Sequence, residues 1–361
     1  MRLLVLNPGS STLKASVVEA GAEPLAAAEA AWPAGDVDAD TVVNGLLEQL
    51  PTNEVEAIGC RVVHGASTYR EPTVVDDRLL RRVDALDALA PLHNRRAAAV
   101  MRAVGVRFVG IPQVACFDTA FHADLPETAW RYALPRDWVD RWSIRRYGFH
   151  GLSVQWATRR AAQLLDRSAE GLAIAVAHLG SGSSVTAVLG GRAVDTTMGF
   201  TPFEGLVMGT RSGSVDPGIL LHLLREGMDL EALADGLAHR SGLLGLSGTT
   251  PDVRELERLA TTGDASALLA LEIYAARAAA GIAAMATSLP RLDGVVFTGG
   301  IGEHSHRVRS SIARRLTVLG VPEPGDRDEG DAVVAAGPPA LLVVKAREDR
   351  QIADLVEGLL A

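Results

Sequence analysis

One pattern occurs twice in this chain, and it narrows the possible folds more than any other feature. Residues 2–18 hold an apolar run, the tip Asn7-Pro8-Gly9-Ser10-Ser11-Thr12, and a second apolar run that carries Lys14. The same order returns at 172–189, where Leu172 to Ala177 lead through His178-Leu179-Gly180-Ser181-Gly182-Ser183-Ser184 into Val185 to Leu189. Apolar runs joined by short Gly/Ser/Pro segments read as β-hairpins. The echo predicts two similar α/β halves facing each other, each lending one hairpin tip to a shared ligand. With 361 residues the chain can supply each half with its own core.

Apolar spacing fills in the remaining elements. Helices are predicted over 41–50, 76–90, 95–104, 153–165, 216–225, 230–238, an Ala-rich segment ending near 288, 308–315 and 348–360. Further strands are predicted over 55–65, 111–117, 294–298 and 340–344. Residues 19–52 are Ala- and acid-rich, with weak strand character before the first helix. No low-complexity linker stands out, so the halves are expected to exchange chain near 147–152 and 344–348. The expected domains are therefore 1–147 plus 346–361, and 148–345.

Composition excludes several classes of function. A formal net charge of −9 argues against a general nucleic-acid binder. It also means that an anionic substrate must be captured by local cations against the long-range field. The two cysteines, Cys60 and Cys116, lie among apolar residues and read as reduced core thiols, with no disulfide framework or zinc spacing. The apolar start before Asn7 is too short for a signal peptide. The Ala-rich stretch 265–289 is interrupted by Glu272 and Arg277, so no membrane span is expected and cytoplasmic residence is the default.

The chemistry-bearing residues sit at strand ends. Backbone N–H groups, hydroxyls and Lys14 at the first tip suit phosphate oxygens, and Asn7 adds a neutral oxygen able to hold a metal-bound water. Glycine-rich tips at 7–12, 178–184 and 299–303 together make a nucleoside triphosphate the economical ligand. Neither G-x-x-x-x-G-K-[ST] nor G-x-G-x-x-G is present. Arg61 stands inside an apolar run, where an unpaired cation is costly. Asp118, at the end of its own strand, is the candidate to orient it. Arg211 occupies a polar turn before a helix, and His93, His150 and His178 lie at element boundaries.

Longer motifs then identify a family. Asn7 to Lys14, Arg61-Val62-Val63-His64-Gly65, Ala90-Pro91-Leu92-His93-Asn94 and Phe117-Asp118-Thr119-Ala120-Phe121-His122 resemble the acetate kinases. So do Tyr147-Gly148-Phe149-His150-Gly151, His178-Leu179-Gly180, Met198-Gly199-Phe200-Thr201-Pro202 and Gly205 to Gly213. The resemblance implies an α/β fold of two similar actin-like ATPase (ribonuclease H-like) domains with an interdomain cleft, and a homodimer. It implies reversible transfer of the ATP γ-phosphoryl group to acetate, with Mg²⁺, or Mn²⁺ in its place.

Carried over by position, Arg61 holds the substrate carboxylate, and Val63, Leu92, Phe149 and Pro202 wall the pocket for its methyl group. Asp118, His150 and Arg211 are the catalytic residues, and Asn7 and Glu348 serve the metal. Lys14, His178, Leu179, Gly180, Ser181, Gly182, Asp252, Val253, Arg254, Gly300, Ile301, Gly302, Glu303 and His304 line the nucleotide.

Three positions depart from the family pattern. Ser181 replaces a usual asparagine, Ser214 a usual aspartate, and Ala346-Arg347-Glu348-Asp349 a Thr-Asn-Glu-Glu run, which sets a cation beside Glu348. Other readings stay open at this point. One is a propionate- or butyrate-type carboxylate kinase, and another is an actin-like nucleotide switch that needs neither Arg61 nor Arg211 in a substrate site. A third is a nucleic-acid binder using the interleaved cations and aromatics of 141–147.

Overall fold

In the computed structural model, both Gly/Ser tips close antiparallel hairpins. The structure describes residues 1–9, 12–19, 21–32, 38–87, 93–325 and 330–361. β1 (Arg2–Pro8) pairs with β2 (Thr12–Glu19), which pairs with β3 (Ala26–Ala31), all antiparallel. β4 (Ala57–Val62) lies parallel to β1, β6 (Gln113–Phe117) parallel to β4, and β5 (Thr73–Val74) antiparallel to β6. The sheet order is β3-β2-β1-β4-β6-β5.

The second sheet repeats this plan. β7 (Ala173–Leu179), β8 (Ser183–Leu189) and β9 (Arg192–Thr196) form the antiparallel meander. β10 (Gly294–Thr298) and β12 (Ala340–Val343) continue in parallel, with β11 (Ala332–Ala335) antiparallel on the edge. The order β11-β12-β10-β7-β8-β9 matches the first sheet strand for strand, so the echo in the sequence is an echo in topology.

The chain divides into two compact units, 1–123 with 149–156 and 347–361, and 124–148 with 157–346. In the first, the helices Ala39–Leu47 and Asn94–Arg107 bury one face of the sheet through Val43, Leu46, Ala97 and Met101 against Leu4, Leu6 and Ile58. The last helix, Glu348–Leu360, covers the other face with Ile352, Ala353 and Val356 against Leu3, Val5 and Val114. It approaches so closely that any side chain at Gly59 of β4 would strike Ile352. This contact brings the helix start, Glu348, to the sheet.

In the second unit the helix Ala265–Ala286 presents Ala270, Ala275, Ala278 and Ile282 to Ala175, Ala177 and Val185 of β7 and β8. Alanine on both surfaces permits this close packing. Glu272 and Arg277 do not interrupt the helix. Among the described residues it is the one helix long and apolar enough to cross a membrane, with nine of its 22 residues buried in this core. Residues 124–148, which precede the expected chain crossing, pack with the second unit through Arg146–Glu204 and the Tyr147 N–H bond to Gly199.

Candidate active site

Parallel neighbours β1, β4 and β6 end on the same edge of their sheet, and three of the expected site residues stand there. Asn7 is near the end of β1, Arg61 near the end of β4, and Asp118 directly follows β6. Ligands of open α/β sheets bind at this carboxyl edge. Arg61 donates from Nε to both Asp118 oxygens at 3.2 and 3.1 Å and from Nη2 to Oδ2 at 2.6 Å. Its Nη1 donates to Asn7 Oδ1 at 3.0 Å and lies 3.5 Å from Glu348 Oε2. Asn7 Nδ2 completes the ring, donating to Glu348 Oε2 at 2.7 Å.

A guanidinium has five N–H donors, and Asp118 and Asn7 take three of them. Among the described residues the other two, one on each terminal nitrogen, make no hydrogen bond, and Glu348 stands 3.5 Å from Nη1. Burial disfavours the Arg61 charge, and Asp118 and then Glu348 more than restore it, so its pKa is raised. The Asp118 carboxyl is itself pushed up by burial, against the pull of Arg61 and with the Glu348 charge adding to the rise.

One cation between two carboxylates leaves the cluster net negative if both are ionised, and its free lone pairs belong to oxygens. Among the described residues no group of three His, Cys, Asp or Glu could hold a metal. The oxygens at this edge, from the Asn7 carboxamide and the Glu348 carboxylate, suit Mg²⁺, which takes one or two protein carboxylates plus substrate phosphates and keeps most of its waters. Arg347, the cation beside Glu348, is turned to other partners: Asp349 at 3.0 Å and Glu23 at 2.5 Å.

His150 joins this edge through Gly151. The Gly151 N–H donates to the Asp118 carbonyl at 3.0 Å, and any Cβ at 151 would collide with that carbonyl. His150 itself takes φ of 58°, an uncommon left-handed conformation for a residue with a side chain. Phe149 is buried edge-on against His64, at 5.3 Å between ring centres, and Val63 is buried next to His64 in the chain. Asn94 bonds both the N–H and the carbonyl of His64. Leu92, Ser10 and Ser11 lie outside the described residues. Lys14 faces Asn7 across the first hairpin and sits exposed, 3.8 Å from Glu29.

The second unit holds the other candidates. The tip of β7–β8 closes with Gly180 N–H on the Gly182 carbonyl at 3.0 Å, and His178 pairs in register with Thr298 at the end of β10. The third glycine-rich tip stands at a strand end, after β10, as expected. Residues Gly299–His304 wind into a short helix directly after β10, because a parallel strand must leave the sheet edge rather than turn back. Glu303 accepts the Ala346 N–H through Oε1 at 2.9 Å. Asp252 caps the helix Val253–Thr261 and pairs with Arg254 at 2.6 Å, both partners being exposed.

Arg211 differs from Arg61, Arg254 and Arg347. Its one side-chain hydrogen bond runs from Nη1 to the Pro202 carbonyl at 2.7 Å, and no carboxylate pairs with it among the described residues. Burial alone pulls its pKa down to about 10. A guanidinium desolvated without a counter-ion is a site for an anion.

Comparison with known proteins decides the family. A sequence model described as the acetokinase family matches residues 26–354. The chain belongs to the acetokinase family. An acetate kinase from Deinococcus radiodurans is 44% identical, over 98% of this chain and 96% of its own length. The crystal structure of Porphyromonas gingivalis acetate kinase superposes with a TM-score of 0.89 at 30% identity, covering 100% of both chains. A propionate kinase from Francisella tularensis matches with a TM-score of 0.84 at 33% identity, over 98% of each chain. The two equivalent sheets are thus the paired sheets of the actin-like ATPase fold.

Sequence reasoning missed a cluster formed by Tyr132, Arg146 and Glu204. The cations and aromatics of 141–147 figure in the sequence only as a nucleic-acid-binding alternative, yet Arg145 stacks on Trp130 and Tyr147, and Arg146 lies over Tyr132. No local signal distinguishes an arginine that will find a carboxylate almost sixty residues away.

Proposed function

We propose that this chain is an acetate kinase that transfers the γ-phosphoryl group of ATP to acetate, reversibly and by direct in-line displacement, giving acetyl phosphate and ADP. The observation that carries the reading is Arg61: a guanidinium fixed at the carboxyl edge of its sheet, with two N–H donors that make no hydrogen bond among the described residues. Such a group holds a carboxylate bidentately. Asp118 orients it, and no general base is needed, because a carboxylic acid with a pKa of about 4 is already ionised at neutral pH. Val63, Leu92, Phe149 and Pro202 enclose the methyl group.

Arg211 and His150 take the charge on the transferring phosphoryl oxygens, which is the main task in a reaction of this type. Lys14, His178 to Gly182, Asp252 to Arg254 and Gly300 to His304 hold the nucleotide. Asn7 and Glu348 hold Mg²⁺ or Mn²⁺, which when bound neutralises phosphate charge. The two buried free thiols and the use of ATP fit residence in the cytoplasm.

The partner is a second copy of the chain. The helix Pro217–Arg225 buries none of its residues despite Ile219, Leu221 and Leu224, and Leu230 beyond it is 68% exposed. An apolar patch of this kind on one surface marks an interface.

The propionate kinase relative favours one second reading, a pocket that takes a longer acid. One buried methylene is worth about 0.8 kcal/mol, roughly fourfold in binding. Purified protein with Mg²⁺, ATP and acetate, propionate or butyrate, assayed by hydroxylamine trapping of the acyl phosphate, tests both. Acetate giving the highest kcat/KM supports the first reading, propionate the second, and no acyl phosphate from any of the three overturns the function.

A further inference from the structure

We propose that Tyr132 and Glu204, held by Arg146, are positioning residues that aim Arg211. The inference rests on the reading that Arg211 meets the transferring phosphoryl group. Among the described residues Arg211 has no carboxylate to fix its direction, so its guanidinium follows the group it bonds there, the Pro202 carbonyl. Where that carbonyl stands is set by the segment 197–204.

A single phenol clamps this segment at two points. Tyr132 Oη accepts the Phe200 N–H at 2.9 Å and donates to Glu204 Oε2. The other Glu204 oxygen accepts from Arg146 Nη2 at 2.8 Å. Arg146 spends its remaining nitrogens on backbone, with Nη1 on the Thr197 carbonyl at 3.1 Å and Nε on the Ala129 carbonyl at 3.3 Å. Thr197, Phe200 and Glu204 are therefore tied to one network, with Phe200 and Glu204 flanking Pro202 in sequence.

The network closes around bare backbone. Any side chain at Gly199 would collide with both the Glu204 carboxylate and the Tyr132 hydroxyl, and the Gly199 carbonyl accepts the Tyr147 N–H at 3.0 Å. Ser214, at the departure from the family pattern, ties the far side of the loop, accepting the Gly205 N–H at 3.1 Å and donating its own N–H to the Gly205 carbonyl at 3.0 Å. A hydroxyl that is donor and acceptor at once fits this place, and phenylalanine forfeits both bonds while keeping the ring beneath Arg146. An arginine anchored only by a carbonyl loses its aim when that carbonyl drifts, and a displacement of about 1 Å at a reacting group costs on the order of 100-fold in rate.

The test compares Tyr132→Phe in two backgrounds. In the native background kcat falls roughly 10- to 100-fold, while KM for ATP and acetate stays within about threefold. In an Arg211→Ala background the same change alters kcat less than about twofold, because its target is gone. An equal loss in both backgrounds, or no loss in the first, overturns the proposal. Modification of Arg211 by phenylglyoxal, followed by peptide mass, reads the same aim without catalysis. It is expected to be several-fold faster in Tyr132→Phe, and an unchanged rate also overturns the proposal. That readout holds whichever acid is the substrate, so a failed kinase assay with faster labelling condemns the function and spares the brace. Should Tyr132→Phe not fold, Glu204→Gln, which breaks the Arg146 pair, takes its place with the same expectations.

Discussion

Asp118 takes the Nε and Nη2 hydrogens of Arg61 at 3.1 and 2.6 Å while being itself fully buried, so each residue keeps the other charged. Removing one partner strands the other. Arg61→Ala is expected to raise the acetate KM by at least about 30-fold, and to destabilise the fold by about 3 kcal/mol through the uncompensated carboxylate. Arg61→Ala with Asp118→Ala should recover part of that stability and none of the affinity. Initial rates and urea melts on the three proteins check both parts, and an unchanged acetate KM in Arg61→Ala contradicts the anchoring role.

Arg211 gives a different signature, because it is assigned to charge that grows during transfer. Arg211→Ala should lower kcat by roughly 1,000-fold or more with little change in KM, the pattern of an arginine that acts in the transition state. A variant within tenfold of the native kcat rejects the assignment.

Much of this was legible before any coordinates, and the reasons are physical. The hairpins β1–β2 and β7–β8 announce themselves because both strands are buried runs and the tips are Gly/Ser. Arg61 and Asp118 were paired from sequence because a cation in an apolar strand has few alternatives. β3, with the sequence Ala-Ala-Ala-Glu-Ala-Ala, is legible only as weak strand character without bounds, since alanine favours helix and the pairing along β2 makes it extended. The 299–303 segment is legible as a glycine-rich tip at a strand end but not as a helix, because its three glycines lower helix propensity. The brace around Arg211 was hidden for a related reason: Tyr132, Arg146 and Glu204 meet only through tertiary folding.

His122 offers a pH-dependent property of the fold. It is buried, and desolvation, opposed by a hydrogen bond with the Asp118 backbone, holds its pKa at about 4 against an ordinary 6.5. Between those values the unfolded chain takes up a proton that the native chain refuses. The stability is therefore whole above about pH 6.5 and is lost as pH falls toward about 4, by up to about 3 kcal/mol from this group. His122→Gln removes the titration. The difference in unfolding free energy between variant and native protein, measured in urea, should shift in the variant's favour from pH 7 to pH 4.5. A constant difference across that range is the contrary result.

The apolar helix Pro217–Arg225 yields the last prediction. Leu221 is 53% and Leu224 41% exposed, on a helix that contributes nothing to the core of its unit. Each large aliphatic side chain fully removed from water is worth about 1.5–3 kcal/mol, so a few of them account for much of a micromolar or tighter association. A carboxylate at the centre of such a patch must be desolvated without a partner on association, which costs several kcal/mol. Native protein is therefore expected to behave as a dimer in light scattering at micromolar concentration, and Leu221→Glu with Leu224→Glu as a folded monomer with an unchanged circular dichroism spectrum. A native monomer, or a variant that remains dimeric, removes this helix from the interface.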